Sequence, residues 1–227
     1  MFRRKPDTER KVRFMKYKKA FSAVCLLIAF LLWTATVCLV DVRPIGPQGS
    51  SVGFATLNRF VHDLTGVHWF LYTLTDWLSL VPVGLMAGFA LLGLIQWIQR
   101  KRLLKVDPSI LALGGFYLAV AAAFLFFETV VINYRPVLIG GILEASYPSS
   151  TTMLVLCVMP TAAMQLRSRI RSTSLRRLIL TAITVFSVFM VLGRLVSGIH
   201  WFTDIVGGGL LSAGLVLIYA HICDALK

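Results

Sequence analysis

The chain is short of charge, and of negative charge above all: 15% of its 227 residues are charged, with 10 Asp or Glu against 23 Lys or Arg. Hydrophobic residues make up 57% and the mean hydropathy is +0.79, a composition that excludes a soluble globular domain of this size. Cys25, Cys38, Cys157 and Cys223 fall within apolar stretches with no CxxC spacing, so they are expected to be small buried hydrophobes and say nothing about redox compartment. There is no long internal repeat, low-complexity tract or soluble insertion, so residues 1–227 are expected to form one membrane domain with a basic cytoplasmic segment at 1–19.

What is present is apolar sequence in long runs. A hydrocarbon core needs about 20 apolar residues per helix, and six stretches approach that, near Ala20–Val40, Trp77–Ile98, Ile110–Ile132, Thr151–Leu166, Leu178–Val196 and Phe202–Ile222. The expected fold class is therefore all-α, a polytopic bundle of six transmembrane helices. The first stretch outlasts a signal-peptide core and shows no small-residue cleavage site after Val40, so it reads as a retained helix.

Basic residues set the orientation. Nineteen of the 23 lie in residues 1–19, 100–105, 167–177 and at Lys227, all on one side of six crossings, while Arg43, Arg59, Arg135 and Arg194 lie on the other. The positive-inside rule then makes both termini cytoplasmic and the other face extracytoplasmic. The formal charge of +13 is explained by anionic headgroups, with no nucleic-acid partner.

The outward loops hold the polar groups. Asp41–Asp76 opens with DVRPIGPQGSS, an irregular turn, and continues with Phe54, Leu57, Phe60, Val61 and Leu64 at helical spacing, which predicts an amphipathic interfacial helix. Trp69, Tyr72 and Trp77 suit an aromatic belt. Farther on, Pro136 ends a helix, Gly140-Gly141 turns the chain, and Ser149-Ser150 caps the next helix, whose N-terminus is a ready anion site.

Ionisable groups at membrane depth cost on the order of 2.5 to 3.5 kcal/mol each, which marks them as functional candidates. In GRLVSGIHWFTDIVGG, His200 and Asp204 are four apart, so a helix running from Ile199 would put both on one face and let the carboxylate hold one imidazole nitrogen. Arg194 and Arg135 add planar donors suited to phosphate oxygens. Two arginines, a helix N-terminus and an oriented histidine predict a phosphoryl-transfer site that needs neither metal nor cofactor. The Gly207-Gly208-Gly209 run, with no strand before it, reads as close helix packing rather than a nucleotide loop.

These residues resemble the motifs of the type 2 phosphatidic acid phosphatases, the PAP2 membrane phosphatases. Arg135-Pro136 is similar to the end of the first motif, Pro148-Ser149-Ser150-Thr151 to the second, and Gly193-Arg194 through His200 to Asp204 to the third. The resemblance implies a PAP2-like bundle in which His200 is the nucleophile, Asp204 orients it, Arg135 and Arg194 clamp the phosphoryl oxygens, and Ser149 and Ser150 complete the cradle.

Two positions depart from the pattern. Glu128 stands where the family has a lysine, and Thr151 where it has the histidine that protonates the leaving group. Losing that acid removes help worth about 10² to 10⁴-fold. A lipid diphosphate escapes this, because it releases a phosphate monoester whose second pKa is about 6. The expected function is thus hydrolysis of a lipid phosphate or diphosphate, favouring a polyprenyl diphosphate such as an undecaprenyl carrier, on the outer face of a bacterial plasma membrane. The alternatives are transfer to an acceptor other than water, and an inactive lipid-phosphate-binding relative. Glu144, Glu128, His62 and His68 are the candidate replacement proton donors; on an uninterrupted helix Glu128 would also share a face with Arg135, seven residues on.

Overall fold

The computed structural model describes residues 6–226, with side chains from Tyr17 onward; the first five residues of the basic N-terminal segment and Lys227 lie outside the described residues. Eight α-helices are described: α1 (Pro6–Leu39), α2 (Ala55–Thr65), α3 (Trp69–Leu78), α4 (Leu80–Arg100), α5 (Pro108–Thr129), α6 (Ser150–Arg169), α7 (Thr173–Val196) and α8 (Phe202–Ala225). Starts follow local chemistry. Asp107 accepts from the Ser109 N–H with Pro108 in the first turn of α5, Ser149 from the Thr152 N–H of α6, and Ser172 from the Leu175 N–H of α7.

Among the described residues, five segments are long and apolar enough to cross a membrane: Tyr17–Leu39, Trp69–Arg100, Pro108–Thr129, Thr173–Val196 and Phe202–Ala225. The sixth expected crossing, α6, is long enough at 20 residues but less apolar, and its surroundings explain why. It lies inside the bundle against α7 and α8, and Thr151, Thr152, Thr161 and Gln165 are all buried there. The Thr161 hydroxyl returns to the Cys157 carbonyl at 2.8 Å, and Gln165 donates to the Ser109 carbonyl at 3.1 Å. Polar side chains are tolerated at this depth because they meet protein partners instead of lipid. On the outside, Phe21, Leu31, Leu118 and Val185 are more than half exposed, as lipid-facing positions must be. Cys25 and Cys38 belong to that surface; contrary to the sequence expectation, both are exposed on α1 and only Cys157 is buried.

The amphipathic helix expected over Phe54–Leu64 is α2. The aromatic segment after it is not a loop: α3 begins at Trp69 and leads through Ser79 into α4, so the second crossing forms one apolar run of 32 residues, Trp69–Arg100. Between α5 and α6 the chain makes a narrow hairpin, bridged at Tyr134–Ala145 and Ile139–Ile142, with Gly140 and Gly141 at φ of 57° and 82°. That conformation suits glycine, as the sequence anticipated.

Tyr147 ties this hairpin to the bundle. It is 1% exposed, its hydroxyl lies 2.6 Å from Thr34 Oγ1, and its ring stacks on Phe30 at 6.4 Å and meets Phe127 edge-on at 6.1 Å. Gly207 of α8 lies beneath the same ring, where an added Cβ would come within 2.6 Å of it. The glycine run is therefore what lets α8 approach the start of α6. Gly207→Ala is expected to destabilise the protein by about 1 to 3 kcal/mol through overpacking, read as a lower thermal unfolding midpoint in detergent; Gly209→Ala, with nothing within 4 Å of the added atom, is the control.

Candidate active site

The site is built where the starts of α6 and α8 meet the end of α7. Asp204, wholly buried in the first turn of α8, is its hub. One carboxylate oxygen accepts the Trp201 N–H at 2.9 Å and the Ser146 hydroxyl at 2.5 Å; the other accepts the Asn133 amide at 3.3 Å. Its backbone carbonyl accepts the Ser149 N–H at 3.0 Å. One residue thus joins the turn before α8, both arms of the hairpin and the cap of α6.

His200 and Asp204 are brought together, but not as the spacing suggested. α8 starts at Phe202, so His200 sits in the preceding turn and the pair does not share a helical face. The imidazole Nδ1 is 3.8 Å from the nearest carboxylate oxygen, beyond hydrogen-bond reach. Ser146 fills the gap, its hydroxyl 3.0 Å from Nδ1. A hydroxyl has one proton to give, and Ser146 gives it to Asp204. It therefore accepts from Nδ1–H, which places the lone pair of the neutral ring on Nε2. Nε2 faces Arg135 Nη1 at 3.3 Å.

The turn holding His200 is itself fixed by close approach. Gly198 has φ of 67°, and a Cβ there would lie 1.9 Å from the Gly66 carbonyl. The His68 N–H donates to the Ser197 carbonyl at 3.0 Å. The loop between α2 and α3 thus braces the turn that carries His200.

Arg194, in the last turn of α7, is 2% exposed. Its Nη2 donates to Thr151 Oγ1 at 2.6 Å and to Asp76 Oδ1 at 2.9 Å, and its guanidinium lies 4.9 Å over the Tyr72 ring. Nε and Nη1 are buried without a hydrogen-bond partner. Unpartnered buried guanidinium donors are costly, and a phosphoryl oxygen is the acceptor whose geometry suits them. Arg135 is paired with Glu144, Nε to Oε2 at 3.1 Å, with the N–H not aimed at the oxygen.

Most of the expected residues converge. His200, Asp204, Arg135, Arg194, Thr151 and Glu144 form one cluster, and Ser149 is the wholly buried cap of α6, with half-buried Ser150 following it. Glu128 does not join Arg135: α5 ends at Thr129, so the helix that would have aligned them is interrupted, and Arg135 takes Glu144 instead. Glu128 is exposed and lines a small cavity with Ser146, Tyr147 and Ser150. Of the loop histidines, His68 Nε2 bonds the Thr65 carbonyl at 2.7 Å, and His62 packs its ring 5.5 Å from Trp201. Sequence reasoning missed Ser146, Asn133, Tyr72 and Asp76. Asp76 carried a signal, an acid inside the apolar run TLTDWLSL; the others match no spacing rule.

Burial pushes the His200 imidazole down to about 4; Asp204 opposes this, and the positive charges of Arg135 and Arg194 reinforce it. The ring is neutral at pH 7 and keeps its nucleophilic lone pair until the pH falls to about 4. The acid limb of kcat/KM that belongs to free His200 is expected near pH 4 instead of 6.5; a limb at 6.5 would contradict this environment. Ser146→Ala, which cuts the link between Nδ1 and Asp204, is expected to lower kcat about 10- to 100-fold with little change in KM, checked by steady-state kinetics.

Comparison with known proteins agrees with this geometry. The PAP2 superfamily model matches residues 105–226. A crystal structure of a transmembrane PAP2-type phosphatidylglycerolphosphate phosphatase from Bacillus subtilis matches with a TM-score of 0.62 at 18% identity, over 90% of this chain and 97% of that one. No curated protein sequence matches. More than half of the chain, including every residue of the cluster except Tyr72 and Asp76, falls within the matched segment, so the chain belongs to the PAP2 superfamily and is an integral membrane protein with the PAP2 phosphatase fold.

Proposed function

We propose that the protein hydrolyses a lipid phosphate or diphosphate through a phosphohistidine at His200, with a polyprenyl diphosphate as the favoured substrate. The observation that carries this is an imidazole whose lone pair lies on Nε2, facing Arg135 Nη1, beside buried, unpartnered donors on Arg194. A terminal phosphoryl group held between Arg135 and Arg194 meets Nε2 in line. The N–P bond forms, the bond to the leaving oxygen breaks, and its electron pair departs with the leaving group. Positive charge on the two guanidinium groups stabilises the equatorial oxygens as this occurs. The N-terminus of α6, capped by Ser149 and continued by Ser150, adds first-turn N–H groups that have no partner within the helix.

Thr151 supports the choice of a diphosphate. Its hydroxyl already accepts from Arg194, and an alcohol is about as weak an acid as water, whose pKa is about 15.7. It gives little help to an alkoxide leaving group, whereas a departing lipid monophosphate needs little. The basic residues concentrated at 1–19, 100–105 and 167–177 support a cytoplasmic placement of the opposite end, and hence an extracytoplasmic site.

The test is phosphate release by purified protein from a polyprenyl diphosphate and from a lipid monophosphate, with His200→Ala alongside. Release is expected to favour the diphosphate by about 10² or more and to vanish in His200→Ala. Release from neither lipid, or release indifferent to His200, removes the hydrolase reading.

A further inference from the structure

A phosphohistidine must be discharged by water, and a group is needed to take the water's proton. Resting on the phosphohistidine reading above, we infer that Asp76 is the general base of this second step. Four carboxylates surround the cluster. Asp204 is wholly buried and committed to Trp201, Ser146 and Asn133. Glu144 is held on Arg135, the guanidinium that faces Nε2. Glu128 has no hydrogen bond or ion pair with either arginine among the described residues. Asp76 is on Arg194, sharing Nη2 with the Thr151 hydroxyl, and its side chain is 59% exposed while Arg194 is 2% exposed.

That combination is what a water-activating base needs. In-line displacement requires water to approach from the side the leaving group vacated, opposite Nε2. A carboxylate bonded to the clamp arginine that does not hydrogen-bond His200, and exposed on its other face, is placed to reach a water entering there. The step balances as written. The water oxygen bonds to phosphorus, the P–Nε2 bond breaks and its electron pair returns to Nε2. The water proton passes to Asp76 and on to solvent, and inorganic phosphate leaves. Thr151 is no rival, because its hydroxyl is a poor base already used as an acceptor. Asp76 also lies outside residues 105–226, so the family match assigns it nothing.

The experiment follows label from farnesyl diphosphate carrying ³²P in its β-phosphate, with wild type, Asp76→Asn, Asp76→Glu and His200→Ala in rapid-quench time courses. In Asp76→Asn, acid-labile, alkali-stable phosphoenzyme is expected to accumulate in a burst approaching one per chain. Steady-state phosphate release should fall on the order of 10²-fold. Asp76→Glu, which keeps a carboxylate on Arg194 but displaces it, should show a smaller build-up and a smaller loss, and decides the matter if the Asn variant does not fold. If label arrival and release slow together, Asp76 only positions Arg194 and the inference is overturned. Unchanged release overturns it as well. If wild type forms no phosphoenzyme and release is indifferent to His200, the phosphohistidine reading falls and this inference with it.

Discussion

The structure depends on keeping the Asp204 carboxylate satisfied without water. A buried charge is tolerated only when donors surround it, and here they come from three separate stretches: Trp201 beside its own helix, Ser146 and Asn133 on the two arms of the hairpin. The partial positive charge at the start of α8 adds to them. Meeting that requirement pins the hairpin against α8, and Tyr147 completes the anchoring through Thr34, Phe30 and the bare face of Gly207. The orientation of His200 is a by-product of the same arrangement. Ser146 spends its one proton on the carboxylate and so accepts from the imidazole.

The two arginines are held in the apolar bundle by different means. Arg194 is buried with two nitrogens unpartnered, and its charge is offset by an exposed carboxylate and an aromatic face. Arg135 contacts His200 Nε2 directly and leans on Glu144. A bound phosphoryl group would supply acceptors to donors that now lack them and would draw Arg135 away from Nε2. Affinity and activation of the nucleophile would then arise from one event.

The least apolar long helix is the one that begins at the cluster. α6 brings Ser149, Ser150 and Thr151 to the site at one end and the Gln165 network to the other, and it does so because α7 and α8 shield it from lipid. Only its helical length survives as a membrane signal; hydropathy alone misses it, since burial in protein relaxes the demand for apolar side chains.

Much of this was legible in the amino-acid sequence, because the membrane imposes strong one-dimensional rules: runs of about 20 apolar residues make helices, basic loops sort to one side, and costly ionisable groups mark a site. Those rules sufficed for the bundle, and they singled out His200, Asp204, Arg135 and Arg194, which the fold brings into one cluster. Tertiary structure alone decided their wiring. Ser146 lies 54 residues from His200 and 58 from Asp204, and Asp76 lies 118 residues from Arg194. No periodicity spans such distances. The i, i+4 rule misled at His200 because α8 begins two residues later, and the i, i+7 rule at Glu128 because α5 stops at Thr129. Where a helix starts and stops beside a site is set by which buried groups must be satisfied there, and that is a property of the assembled bundle.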